Sequence, residues 1–180
     1  PIDFQNCFQE KIAKNYNSFW QTISEVRGII IFNNLGIQVT EIDAKTVKDK
    51  NVDFLAIFED KKIYSEVKGF VPEDYKIAKK GSNYFNKLEY EIMLERALRR
   101  ADEKFLDENL NIVIIADENV VKSSLFREPL LYDLPKDVLW DYPKISAAIV
   151  LGEYNNEDMS KYKIWYNDNA QKILPQKLIN

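Results

Sequence analysis

Histidine is absent from the 180 residues of this chain, and cysteine occurs once, as Cys7. Without histidine there is no Ser-His-Asp or Cys-His relay, no imidazole-ligated zinc and no His-dependent nuclease chemistry. A single cysteine forms no intramolecular disulfide and no Cys-rich zinc site, which fits a reducing cytoplasm. Glycine is scarce, at five residues. Neither Gly-x-Gly-x-x-Gly nor a Walker sequence occurs, so no nucleotide cradle is expected. No apolar run approaches a membrane span, Gly28 to Phe32 being far too short. No secretory signal pattern is visible. Acid–base work therefore falls on carboxylates, lysines, tyrosines or water activated by a metal ion.

What is present argues for one folded domain over residues 1–180. Apolar residues make up 46% and aromatic residues 13% of the chain, too much for a disordered segment. The net charge of −4 does not advertise a nucleic-acid partner. Its distribution is more useful. Residues 1–44 carry 3 basic and 5 acidic groups, 45–104 carry 14 and 12, and 105–180 carry 8 and 12. The middle segment is mildly positive.

That segment contains the run Asn51-Val-Asp-Phe-Leu-Ala-Ile-Phe-Glu-Asp-Lys-Lys-Ile-Tyr-Ser-Glu-Val-Lys-Gly-Phe70, which reads as two apolar strands, 52–59 and 62–69, around a tight turn. With Asp60-Lys61 as a two-residue loop, residue 55 faces 66 and 53 faces 68. Period-two alternation then places Asp53, Leu55, Ile57, Tyr64, Glu66 and Lys68 on one face, and Val52, Phe54, Ala56, Phe58, Ile63 and Val67 on the other. Two apolar faces imply a sheet covered on both sides. Asp53, Glu66 and Lys68 fit no folding requirement there. Two carboxylates beside an ammonium make a hard-cation site; the plain alternative is a solvated strand edge.

This hairpin resembles the catalytic hairpin of the PD-(D/E)xK, or restriction-endonuclease-like, nuclease superfamily: an Asp at the start of one strand and an acid-any-Lys triplet, here Glu66-Val67-Lys68, on the next. Val52 stands where a Pro often precedes the first acid. The triplet alone is cheap, since four other acid-any-Lys matches occur between Glu59 and Lys104. Strand context singles this one out. The resemblance implies that Asp53 and Glu66 hold Mg²⁺ or Mn²⁺ with the Val67 carbonyl as a further ligand. Such a cation lowers the pKa of water and offsets charge on phosphate, and Lys68 orients the attacking group. Glu25, in Ser24-Glu-Val-Arg27, matches an additional helix acid found in many members; an exposed helix Glu is an equal alternative. A Gln-to-Tyr spacing of family exonucleases would fall on Asn86 and Tyr90, a departure from the pattern, with Lys87 as another site-facing candidate.

Element order agrees with the resemblance. A helix is expected from Ser18, with Ser18-Phe-Trp-Gln21 as a capping box, a stripe of Phe19, Ile23, Val26 and Ile30, and Gly36 as its stop. A shorter helix over 3–14 precedes it. A strand over 37–42 and the hairpin follow, then a basic loop over 72–82. A long helix over 83–107 carries the stripe Tyr90, Met93, Leu94, Ala97, Ala101 and Phe105, with Arg96, Arg99 and Arg100 on a solvated side. Strands are expected over 111–116 and 145–151, with the aromatics Phe126, Tyr132, Trp140 and Tyr142 between them as a satellite core. A terminal hairpin is expected from 163–166 across Asn167-Asp-Asn169 to 172–174. The fold class is thus α/β: an αβββαβ core over about 18–117, a mixed sheet flanked by helices, and C-terminal decoration over 118–180. The function implied is metal-dependent hydrolysis of DNA, of a defence or restriction type. The alternatives are a catalytically silent binding or assembly module and an RNA-directed nuclease. Nucleic acid is the expected partner, DNA before RNA, with no membrane partner; homodimerisation is left open.

Overall fold

The computed structural model describes residues 16–46, 49–70, 87–117, 137–151 and 162–175. Their elements run α1 (Tyr16–Asn34), β1 (Gln38–Lys45), β2 (Asn51–Phe58), β3 (Lys61–Phe70), α2 (Lys87–Lys104), β4 (Leu110–Asp117), β5 (Ala147–Leu151) and β6 (Tyr162–Tyr166). The strands form one sheet in the spatial order β1-β2-β3-β4-β5-β6. Pairing is antiparallel from β1 to β3, parallel from β3 to β5, and antiparallel again at β6. The chain therefore has the αβββαβ core and mixed sheet of a restriction-endonuclease-like fold, with β5 and β6 extending it.

Ile112 to Ala116 and Ala147 to Leu151 are continuously buried because a helix covers each face. On one face Ile29, Ile31 and Phe32 of α1 pack with Phe54, Ala56, Ile63, Val67, Ile112 and Ile114. On the other, Leu94, Ala97, Leu98 and Ala101 of α2 pack with Leu55, Tyr64, Val113, Ile115 and Ala148. The stripe expected on the long helix forms from Met93 to Phe105, with Leu98 added to it.

Helix α1 departs from expectation. It already runs at Tyr16, so Ser18 lies inside it and does not begin it. Phe19, Ile23, Val26 and Ile30 are only half-buried, whereas Thr22, Ser24, Glu25 and Arg27 are buried. The reason is Gly28. A Cβ there would lie 2.9 Å from Ile114 Cδ1 and 3.3 Å from Phe54 Cε2, so the helix approaches the sheet closely at that point. The face turned inward is the one at helical spacing around it: Gln21, Ser24, Glu25, Gly28 and Phe32. The stop at Gly36 (φ 72°) is as expected. Ile37 N donates to Phe32 O at 2.8 Å and Gly36 N to Asn33 O at 3.0 Å, the paired bonds of a Schellman ending.

The β2–β3 loop is Glu59-Asp60, and not Asp60-Lys61. Both residues have positive φ, 46° and 62°, as a primed two-residue turn requires. The register is Phe58↔Lys61, Leu55↔Tyr64 and Phe54↔Ser65, two residues away from the expected one. A slip of two preserves side-chain parity in the paired stretch and, continued beyond Phe54–Ser65, would bring Asp53 level with Glu66 in place of Lys68.

The terminal hairpin does not form. Residues 172–174 are not a strand, and β6 pairs with β5 instead, Trp165 against Ala148. Asn167 explains the difference. Its Nδ2 donates to Leu139 O at 2.8 Å, Tyr142 O at 3.1 Å and Ile145 O at 2.9 Å, so it staples an incoming loop where a hairpin was expected to turn. Expectations on 3–14, 72–82, Asn86, Phe126 and Tyr132, and on the side chains of Ser18, Lys87 and Tyr90, lie outside the described residues. No helix among the described residues is long and apolar enough to cross a membrane.

Candidate functional site

Strands β2 and β3 part company at the predicted acids. Their pairing ends at Phe54–Ser65, whereas β3 stays paired to β4 as far as Phe70–Asp117. Side chains fill the resulting fork. Val67 N donates to Asp53 Oδ2 at 2.6 Å. Gln21 of α1 donates its Nε2 to Val67 O at 3.2 Å and accepts from Gly69 N at 3.3 Å. One carboxylate and one carboxamide thus replace the main-chain partners that a longer β2 would have supplied. At Gly69 α1 lies close, since a Cβ there would fall 2.7 Å from Ser24 Oγ, which would have to shift.

The fork also breaks strand alternation. Ile42 and Phe54 pair, and both belong to the α1 side; Ala44 and Val52 pair, and both belong to the α2 side. Regular alternation would keep all four on one face. Between the pairs stand Asp43, with a left-handed φ of 53°, and Asp53 across from it. The β1–β2 ribbon turns over there. The expected face grouping is corrected accordingly: Val52 joins Leu55 and not Phe54, and Asp53 lies in the fork, bonded to β3, rather than in a row with Leu55 and Ile57.

Glu66 is the most enclosed acid of the group, 1% exposed. Its Oε1 meets the ammonium groups of both Lys68 and Lys104. Its Oε2 is buried with no hydrogen-bond partner. Burial pushes the Asp53 carboxyl up to about 7, and the charges of Glu66 and then Glu25 push the same way, against the Val67 N–H and Lys68. Glu25 is 3% exposed and accepts from Gln21 Nε2 at 3.4 Å. It is not the ordinary exposed helix acid; its charge bears on Asp53. The structure therefore gathers Glu25, Asp53, Glu66, Val67 and Lys68 around one fork.

Two members of this group were not anticipated. Lys104 offered one sequence signal, its place one turn beyond Ala101 at the end of the buried stripe. Gln21 reads in the sequence as the end of a capping box, and only the closeness of α1 at Gly28 reveals its reach. Arg96, Arg99 and Arg100 are exposed, a solvated face as expected. Tyr142 packs against the α2-side core and donates its hydroxyl to Glu95 O at 3.3 Å; Trp140 is exposed.

No family model matches the chain, and no curated protein sequence matches it. Solved structures do resemble it. An XisH family protein from Nostoc punctiforme PCC 73102 is 20% identical with a TM-score of 0.39, over 81% of this chain and 99% of that one. An fdxN element excision controlling factor protein from Anabaena variabilis is 19% identical with a TM-score of 0.39, over 81% and 98%. SfsA from Pyrococcus furiosus, solved in complex with Ca²⁺, is 16% identical with a TM-score of 0.34, over 72% and 55%. At these identities the likeness concerns fold.

The chemistry of the fork rests on its own donors. Among the described residues no group of three or more His, Cys, Asp or Glu side chains is gathered closely enough to hold an ion. A cation here would bind Asp53 and Glu66 with main-chain or water oxygen completing its shell, a hard donor set suited to Mg²⁺ or Mn²⁺. The buried, unpartnered Glu66 Oε2 fits such a cation, because a buried charged oxygen without a partner is costly. Val67 O can join with its second lone pair, the first being engaged by Gln21.

Proposed function

We propose that the protein is a divalent-metal-dependent phosphodiesterase acting on DNA. The observation that carries this reading is Glu66: an almost fully buried carboxylate with one oxygen unpartnered, beside a second carboxylate, Asp53, whose proton affinity is raised. A fold gains no stability from crowding two acids in one partly enclosed fork. A hard cation offsets that crowding and, when bound, supplies the Lewis acidity that acidifies water and neutralises charge on a phosphate. Asp53 and Glu66 hold the cation. Lys68, partly exposed beside them, contacts the scissile phosphate and orients the attacking water. Gln21 fixes the Val67 carbonyl, and Glu25 adds negative charge behind Asp53.

A second reading is a catalytically silent module, favoured by the two lysines on Glu66, which balance it without any metal. One experiment separates the two. The protein is incubated with plasmid, linear and single-stranded DNA, and with RNA, in Mg²⁺, Mn²⁺ or EDTA, beside Asp53→Asn, Glu66→Gln and Lys68→Ala. Cleavage of DNA that needs the cation and is lost in all three folded variants supports the phosphodiesterase. Cleavage confined to RNA moves the substrate assignment. No cleavage with any cation leaves the module.

A further inference from the structure

Both ammonium groups that reach Glu66 converge on the same oxygen, Oε1, while Oε2 stays without a partner. One cation suffices to balance one carboxylate. The second, Lys104, arrives from a different element, in the last turn of α2. Its side chain is 38% exposed, against 20% for Lys68 and 2% for Glu66. A lysine is a flexible point charge with three donors. Anchored at a helix end with over a third of its side chain in solvent, Lys104 can exchange Glu66 for another anion without movement of α2. The helix end itself is held from the β1–β2 connection, where the Lys50 ammonium meets Glu103 O.

We infer that Lys104 is a substrate-positioning residue that balances Glu66 until a divalent cation claims that acid, then turns to a phosphodiester oxygen of the nucleic acid. The inference rests on the phosphodiesterase reading. It has two consequences of opposite sign. Lys104 competes with the divalent cation for Glu66, so its removal strengthens metal binding. Lys104 also contributes a phosphate contact, so its removal weakens nucleic-acid binding. A purely structural ion pair produces no such crossing, because losing it disturbs Glu66 and both functions decline together.

The test measures Mn²⁺ binding by titration calorimetry, without nucleic acid, for the wild type, Lys104→Met, Lys104→Arg and Asp53→Asn. It then measures KM and kcat for Mn²⁺-dependent cleavage of a DNA duplex. Removing a unit charge that competes for Glu66 tightens Mn²⁺ binding in Lys104→Met by roughly tenfold. Loss of one phosphate contact raises its KM by roughly tenfold, with kcat altered less. Lys104→Arg stays near the wild type in both. Mn²⁺ bound by the wild type, lost in Asp53→Asn and not tightened in Lys104→Met overturns the inference alone. Mn²⁺ that the wild type does not bind, or binds no less well in Asp53→Asn, overturns the metal reading and this inference with it.

Discussion

At the scale of single residues, Asp53 sets the character of the fork. Its carboxyl is raised to about 7 from the ordinary 3.8 of an aspartate, by burial first and by Glu66 and Glu25 next. Between those two values the folded protein keeps a proton that the unfolded chain has released, so stability falls as pH rises through that window and this group adds no further slope above it. The urea midpoint in EDTA should therefore drop between about pH 4 and about pH 7. Asp53→Asn should flatten the drop, and an identical slope in that variant would assign it to other groups. The same substitution removes one charge from the crowded acids while leaving an oxygen for the Val67 N–H. Without metal at about pH 8 it should stabilise the protein by about 1–3 kcal/mol, measured by denaturant unfolding; a loss of stability would show that the acid contributes more than repulsion.

At the scale of elements, α1 positions the site by lying close to the sheet. Gly28→Ala places a methyl 2.9 Å from Ile114 Cδ1, and Ile114 is fully buried in the core. Replacing a helical glycine gains at most about 1 kcal/mol of propensity. Overpacking a close contact costs about 1–3 kcal/mol, so the melting temperature should fall; an unchanged or higher one would mean that the contact relaxes. What was legible in the sequence follows from the same contrast. The six strands and the long helix could be read from periodicity, and Asp53, Glu66 and Lys68 stood out as charges placed against it. The turn was misplaced by one residue because Glu59-Asp60-Lys61-Lys62 offers several charged loops, and only the positive φ at 59 and 60 decides among them. The inward face of α1 was hidden because it is polar and glycine-centred, where periodicity looks for apolar residues. Lys104 was hidden because its partner lies on another element.

At the scale of the whole molecule, the order of strands in space is their order along the chain. No strand has to be inserted between two that are already paired, so the sheet can grow outward one strand at a time. Loops that close short distances cost the least entropy, and the β1–β2–β3 meander consists of such loops, whereas the β3–β4 pairing must wait for the crossover through α2. The acids of the fork would then be brought together by the first stage of folding, and the second stage would deliver the lysine from α2. Pulse-labelled hydrogen exchange should find amides of β2 and β3 protected before those of β5 and β6; simultaneous protection would mean that the sheet condenses as one unit. A chain emerging from synthesis would, on this order, bring Asp53, Glu66 and Lys68 together before Lys104 arrives, and its nascent meander would be the stage most sensitive to ambient divalent ions.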